Sequence, residues 1–260
     1  MELQDRVAFV TGAGEGIGKA AALRMAREGA RIAAVDVSPQ RLAELAAEVD
    51  QLGGQTLPLV ADVSQPDQMQ QAHERVAKEW DRLDIVFANA GINGVWAPLD
   101  ELSPDDWDRT LGVNLKGTFL SLKYGLPLLK RAGGSVVITA SVNGTRVFSN
   151  TGATAYSCSK GAQVIFAKMT ALELAKYRIR VNAICPGSVH TSIADNTFLR
   201  NLEREKERVV FPDGDIPLTR GKAAGADQVA ELVLFLASDR SSHITGTEMW
   251  IDGAQSLLLG

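Results

Sequence analysis

Tyr156 and Lys160 are the residues whose types and spacing most directly suggest chemistry. They close the segment Tyr156-Ser157-Cys158-Ser159-Lys160 at the start of a helical pattern. Four-residue spacing places both on one helix face, a turn apart. An ammonium near a phenol favours the phenolate and lowers the tyrosine pKa. Tyrosine then becomes usable as a general acid or base near neutral pH. Cys158 falls on another face and reads as a small packing residue at a helix interface. A tyrosine and lysine so spaced are most often surface neighbours, so the weight of the reading comes from the rest of the chain.

A second set of residues could hold a phosphate. Thr11-Gly12-Ala13-Gly14-Glu15-Gly16-Ile17-Gly18 follows an apolar, strand-like run and opens a helical pattern. Gly12, Gly16 and Gly18 give a GxxxGxG spacing. Glycine permits the tight turn and the close approach of backbone to a pyrophosphate. The helix start offers unpaired N–H groups and partial positive charge. Asp36 ends the next apolar run, about 20 residues further on, where a carboxylate can accept from the ribose hydroxyls of a dinucleotide. Its charge would repel a 2′-phosphate. Glu15 adds to that repulsion, and no arginine immediately follows Asp36. NAD is therefore expected over NADP.

The elements that must position these residues alternate regularly. Arg6–Val10, Ile32–Val35, Thr56–Val60, Ile85–Ala88, Val136–Thr139 and Arg180–Ile184 are short, consecutively apolar and often β-branched. Such runs fit strands covered on both faces, as in a parallel sheet. Between them, apolar residues recur at i, i+3 and i+4 in Ile17–Glu28, Gln40–Leu52, Asp67–Trp80, Pro104–Lys130 and Ala153–Lys176. Ser38-Pro39 and Ser103-Pro104 read as helix starts, a cap followed by proline at the first helical position. Strict alternation predicts βαβ units in a doubly wound α/β sheet. No linker-like stretch divides the chain, so residues 1–260 read as one domain. The exception to the rhythm is the long polar segment Ser188–Gly221, with Arg200, Glu203, Arg204, Glu205, Lys206, Glu207 and Arg208 close together. Its length and its place after the sixth strand suggest a substrate lid, and its charged part a solvated surface helix.

Composition narrows the classes. The chain has 260 residues, 45% hydrophobic and 22% charged, which excludes disordered and collagen-like readings. A net charge of −4 gives no reason to expect nucleic acid or an anionic membrane as partner. Cys158 and Cys185 are too few for a disulfide framework, and with His73, His190 and His243 scattered no metal site is expected. The acidic opening, Met1-Glu2-Leu3-Gln4-Asp5, does not resemble a secretion signal, and no stretch reaches the ~20 apolar residues of a membrane span. A cytoplasmic location is the expectation. Cys185 reads as core, His190 as a solvent-facing loop residue, and Trp96 as a candidate for the mouth of a pocket.

Taken together, these motifs strongly resemble the short-chain dehydrogenase/reductase family, in order and over essentially the whole chain. Thr11–Gly18 is similar to the family's glycine turn. Asp62-Val63 looks like its adenine-contacting pair, and Asn89-Ala90-Gly91 matches its segment after the fourth strand. Asn114, Ser141, Tyr156 and Lys160 match its catalytic residues. Pro186-Gly187, followed by Val189 and Thr191, resembles the segment that holds the nicotinamide end.

The resemblance implies a Rossmann-type, seven-stranded parallel sheet in the order 3-2-1-4-5-6-7, its last strand near Glu248–Ile251. It implies that Tyr156 transfers a proton to or from the substrate oxygen. Lys160 would lower the Tyr156 pKa and hold the nicotinamide ribose, Ser141 would polarise the substrate carbonyl, and Asn114 would position a relay water. Tyr156 and Lys160 thus count among the cofactor contacts, with Ile17 in the glycine turn. It implies a homotetramer joined through the two long helices and the last strand, with Trp250 and Asp252-Gly253 near a subunit contact. Ser141 lies slightly further before Tyr156 than is usual in the family. The extra residues fall in Thr145–Thr154, where Arg146, Phe148 and Asn150 are candidates to shape the substrate pocket. The expected activity is NAD-dependent interconversion of a secondary alcohol and a ketone. A 3-oxoacyl carrier-protein reductase, a sugar or polyol dehydrogenase, and a non-catalytic NADH sensor are the alternatives.

Overall fold

The computed structural model describes residues 1–205, 211 and 214–259. Its strands are β1 Val7–Thr11, β2 Arg31–Asp36, β3 Thr56–Val60, β4 Ile85–Ala88, β5 Gly94–Trp96, β6 Gly134–Thr139, β7 Ile179–Pro186, β8 Thr197–Leu199 and β9 Glu248–Ile251. The helices are α1 Gly16–Arg27, α2 Pro39–Gln51, α3 Pro66–Trp80, α4 Pro104–Leu111, α5 Gly117–Ala132, α6 Thr154–Leu174, α7 Ala226–Ala237 and α8 Gln255–Leu259. Seven strands form a parallel sheet, β3-β2-β1-β4-β6-β7-β9. This is the order expected from sequence once the two short strands β5 and β8, which among the described residues pair with each other, are set aside.

Why the central strands read as continuous apolar runs is plain from their packing. In β1 and β2, Val7, Phe9, Ala33 and Val35 enter one buried cluster. Ala8, Val10, Ile32 and Ala34 enter the other. Period-two alternation therefore serves two helical layers instead of a core and a solvent face. The first cluster includes residues of α3, α5 and α6, the second residues of α1, α2 and α7.

Two helix starts follow the sequence signals closely. Ser38 accepts from the Arg41 N–H (3.3 Å) and Ser103 from the Asp106 N–H (3.1 Å), each with proline next in the chain. The long helix expected over Pro104–Lys130 is α4 and α5 joined through a π-helical stretch, Gly112–Lys116. Asn114 lies in that stretch, fully buried. Helix α7 has no counterpart among the helices read from sequence.

The segment Ser188–Gly221 forms no α-helix among its described residues, only short 3₁₀ turns and β8. The expected solvated helix is thus replaced at Leu202–Arg204 by one such turn; Lys206, Glu207 and Arg208 lie outside the described residues. Beta pairing fastens the segment instead. Arg200 adds to it, donating from its guanidinium to the Glu101 carbonyl (2.9 Å) and the Asp106 carboxylate (3.2 Å). Among the described residues no helix is long and apolar enough to cross a membrane.

Candidate active site

The strand order reverses between β1 and β4, and there a crevice opens at the carboxyl ends of the strands. Open α/β sheets bind ligands at such a point. A cleft of about 1050 Å³ runs from the glycine turn to the segment after β7.

At the turn, Gly12 (φ +62°) and Gly16 (φ +54°) adopt left-handed backbone. A Cβ on Gly18 would run into the Gly12 carbonyl. Gly18 thus lies beneath the turn, while Gly12, Gly16 and Ile17 line the cleft. Three neighbours hold the turn open. Thr11 Oγ1 accepts from the Asn89 and Ala90 N–H groups (3.0 and 3.1 Å). Asn89 donates from its amide to the Thr11 carbonyl (3.2 Å) and accepts from Thr139 Oγ1 (3.0 Å), so one side chain ties β1, β4 and β6 together.

The Asp36 carboxylate faces the cleft. It accepts from the Gly14 N–H and the Ser38 N–H, both at 3.0 Å. A carboxylate offers about four lone-pair positions, so about two remain open toward the cleft. Asp36 therefore combines its turn role with spare acceptor capacity. Sequence reading missed Arg41, which α2 brings onto the same wall, where it pairs with Glu15 (2.6 Å). Glu15 is thus not a free repelling charge, and an arginine does stand near Asp36. Its signal was its place at the third residue of a capped helix, one turn from the strand end. Asp62 and Val63 line the cleft beyond, with Asp62 accepting from the Ser64 N–H and hydroxyl (2.9 and 2.8 Å).

The floor is built by β6, α6 and β4. Ser141 and Tyr156 are buried and line the cleft, as does Lys160. Lys160 Nζ donates to the Thr139 carbonyl (2.7 Å) and stands 5.7 Å from the centre of the Tyr156 ring. Burial, which penalises a phenolate, raises the Tyr156 pKa, and the Ser141 hydroxyl pulls against it. Burial lowers Lys160 to about 8. The expected lowering of Tyr156 by Lys160 is therefore not found in the free protein, where desolvation governs the shift.

Asn114 does not line the cleft. Its Oδ1 accepts from the Ile92 N–H (2.9 Å), and its Nδ2 donates to the Ile92 carbonyl (3.0 Å) and to Ser159 Oγ (2.9 Å). A Cβ built on Gly91 would lie 3.2 Å from Asn114 Oδ1 and 3.4 Å from Lys160 Nζ. Gly91 thus stands against both residues. The π-helical stretch is what places the Asn114 amide across from Ile92.

The far end of the cleft is lined by Pro186, Gly187, Val189 and Thr191. The Thr191 methyl would lie 3.2 Å from a Cβ on Gly16, so the start of the long segment crosses over the glycine turn. Trp96 also lines the cleft, 6.4 Å from Tyr156 between ring centres. Of the loop residues expected to shape the pocket, Asn150 does line it. Phe148 is exposed, and Arg146 instead stacks 3.6 Å over the Trp250 ring. Trp250 donates to Thr145 Oγ1 (3.4 Å), fastening this loop to β9. His190 is exposed and Cys185 is buried, as read from sequence. Cys158, read from sequence as a packing residue at a helix interface, is instead exposed on α6 within this chain.

The residues present fit a dinucleotide: a glycine cradle that a Cβ would obstruct, a carboxylate with free lone pairs, and a buried ammonium at the other end. Comparison with known proteins supports this. A family model described as enoyl-(acyl carrier protein) reductase matches residues 12–254. The 3-oxoacyl-[acyl-carrier-protein] reductase of Thermotoga maritima is 38% identical over 254 residues, covering 97% of this chain and 98% of the relative. The solved structure of a 3-ketoacyl-ACP reductase from Sinorhizobium meliloti 1021 superposes with a TM-score of 0.93 at 47% identity, over 97% of this chain and 99% of that one. Carveol dehydrogenase from Mycobacterium avium, solved in complex with NAD, gives 0.86 at 30% identity over 99% of each chain.

Proposed function

Because the chain belongs to the short-chain dehydrogenase/reductase family of oxidoreductases, we propose that it interconverts a secondary alcohol and a ketone with NAD. The observation that carries this reading is the buried convergence of Ser141, Tyr156 and Lys160 on the floor of a dinucleotide-sized cleft. Bound NAD supplies or takes up the hydride. The chain's own residues handle the proton and the orientation.

Tyr156 gives a proton to the carbonyl oxygen in reduction and takes it from the hydroxyl in oxidation. Ser141 donates a hydrogen bond to the same oxygen and holds it against Tyr156. Lys160 carries positive charge beside the phenol and offers N–H donors to the nicotinamide ribose. Asn114 acts at one remove, by fixing Ile92 and Gly91 over that ammonium. Gly12, Gly16 and Ile17 receive the pyrophosphate, and Asp62, Val63, Asn89, Ala90 and Gly91 the adenosine side and ribose. Pro186, Gly187, Val189 and Thr191 receive the nicotinamide. The segment 188–221 serves as substrate lid.

NAD is preferred over NADP in this reading, because the Asp36 carboxylate occupies the ribose wall and Arg41 is engaged by Glu15. The protein assembles as a homotetramer. Ile165, Met169 and Leu172 support this: they repeat at helical spacing on α6 and are 60%, 69% and 84% exposed, a stripe that water leaves unfavourably solvated.

The test follows absorbance of reduced nicotinamide with pooled secondary alcohols, with NAD and NADP in parallel. Turnover with NAD several-fold or more above that with NADP is expected. Stronger turnover with NADP, or NADPH binding tighter than NADH, would contradict the cofactor assignment.

A further inference from the structure

The walls of the cleft beyond Ser141 and Tyr156 are lined by amides. Asn93, Asn143, Asn150 and Asn196 lie there, with the Asp215 carboxylate. Two of these amides are held in defined orientations. Asn143 follows Ser141 by two residues, and its backbone N–H donates to Ser141 Oγ (3.1 Å). Its Oδ1 accepts from Asn150 Nδ2 (2.9 Å), while its own Nδ2 makes no hydrogen bond to a described residue. Asn93 is oriented the other way. Its Nδ2 donates to Thr197 Oγ1 (2.7 Å), leaving Oδ1 without a donor among the described residues. The cleft thus presents a fixed donor next to the serine and a fixed acceptor next to β5. A hydroxyl is a group that can satisfy either, since it donates once and accepts twice.

The charge fixed at this end is acidic. Asp215 is held by Gln255 Nε2 (2.7 Å), and Gln255 Oε1 accepts from the Ser188 N–H (2.9 Å). Of the cationic side chains on the cleft, Lys160 is committed to the Thr139 carbonyl and Arg41 to Glu15. Lys116 precedes Gly117, which packs on Val63 at the other end, and Arg109 lies on α4. Among the described residues, therefore, the carboxylate at the substrate end is partnered by an amide and not by a cation. A carboxylate or phosphate entering there would be desolvated beside the Asp215 charge. Trp96 adds a flat apolar wall 6.4 Å from the Tyr156 ring, suited to the C–H face of a carbon chain or ring.

We infer that the substrate is a small uncharged compound bearing a hydroxyl or carbonyl on the carbon next to the reacting one: a vicinal diol, a polyol or the matching hydroxyketone. This rests on the alcohol–ketone activity proposed above. In oxidation the reacting carbon gives its hydride to NAD and its hydroxyl proton to the Tyr156 phenolate, and the C–O bond becomes a carbonyl. The neighbouring hydroxyl is unchanged and serves only as the handle for Asn143 and Asn93.

The test compares kcat/KM with NAD for 2-butanol, meso-2,3-butanediol, ribitol, 3-hydroxybutyrate and the N-acetylcysteamine thioester of 3-hydroxybutyrate. The diol or the polyol is expected to exceed 2-butanol and both 3-hydroxybutyryl compounds by at least about tenfold, since a site built to hydrogen-bond a hydroxyl rejects analogues that lack it. Asn143→Ala and Asn93→Ala are each expected to lower the ratio of diol to mono-alcohol turnover roughly tenfold, the scale of one hydrogen bond. Titration with NADH checks that each variant is folded. A preference for 2-butanol, the acid or the thioester, or an unchanged ratio in both variants, overturns the substrate class alone. Silence toward every alcohol, with NADH still bound, overturns the activity itself and the substrate class with it.

Discussion

Tyr156 is enclosed so completely that the cost of desolvating a phenolate governs its acidity, and that has a consequence for pH. With its pKa raised, Tyr156 rests as the neutral phenol, the form that donates in ketone reduction. Alcohol oxidation needs the phenolate, whose fraction grows about tenfold per pH unit below the pKa. Log kcat/KM for oxidation is therefore expected to climb between pH 6 and 9, while reduction stays flat or falls; a flat oxidation profile would contradict the role. The adenosine wall makes a second prediction at this scale. Glu15→Gln releases Arg41 from its ion pair to face a 2′-phosphate, and kcat/KM for NADPH should rise by roughly tenfold, about 1.4 kcal/mol. Steady-state kinetics on the variant checks this, and no gain would show that Arg41 cannot reach the ribose. These charges also show a limit of reading along the chain. Asp36 was legible from its distance to the glycines. Arg41 was not, because its role depends on α2 folding back over Gly14, whose Cβ would meet Arg41 Cβ at 2.7 Å.

The elements differ in how openly the sequence declares them. Runs such as Val7–Thr11 announce a buried strand because both faces are covered, and Ser38 and Ser103 announce helix starts because a cap and a proline act locally. Helix α7 is hidden because Leu232-Val233-Leu234-Phe235-Leu236 is apolar at every position, which erases the helical stripe. Both edges of the β5–β8 ribbon come from segments about a hundred residues apart, so no local pattern encodes it. The π-helical stretch is equally silent, though it is what directs Asn114 to Ile92. Between α3 and α5, His73 was also unread. It stacks on Phe9 at 4.0 Å and donates from Nδ1 to the Met69 carbonyl (2.8 Å), and burial lowers its pKa to about 4. The unfolded chain, with histidine near 6.5, therefore binds more protons than the folded one between those values. The contribution of His73 to stability is present above pH 6.5 and is lost as pH falls through about 4, amounting to at most ~3 kcal/mol. Urea unfolding of the wild type and His73→Gln across pH 7 to 4 measures it: the variant should lose less stability on acidification, and parallel curves would contradict the assignment.

At the scale of the whole molecule, the sheet supplies the floor of the cleft while further walls come from the loop after Ser141 and the segment after β7. The first is tied to β9 through Arg146 and Thr145 on Trp250, the second to β5 and α4 through β8 and Arg200. In the proposed function, substrate choice would rest on these parts, fastened to the core at a few points, which is why family motifs read the floor and left the walls open. Beside β9, Leu257 on α8 is 70% exposed; the α6 stripe is exposed too, and the proposed tetramer would cover both. Light scattering should give about four times the 27.8 kDa chain mass, and Met169→Glu should shift that value downward. A monomer for the unmodified protein would contradict the tetramer. The claim on which the rest depends is that Tyr156 moves the proton. Its most direct measurement is turnover of Tyr156→Phe on the best alcohol found, with NADH affinity measured on the same sample. The account predicts a loss of kcat on the order of 10²- to 10⁴-fold with NADH affinity and unfolding midpoint preserved. Turnover within a few-fold of the unmodified protein would contradict it.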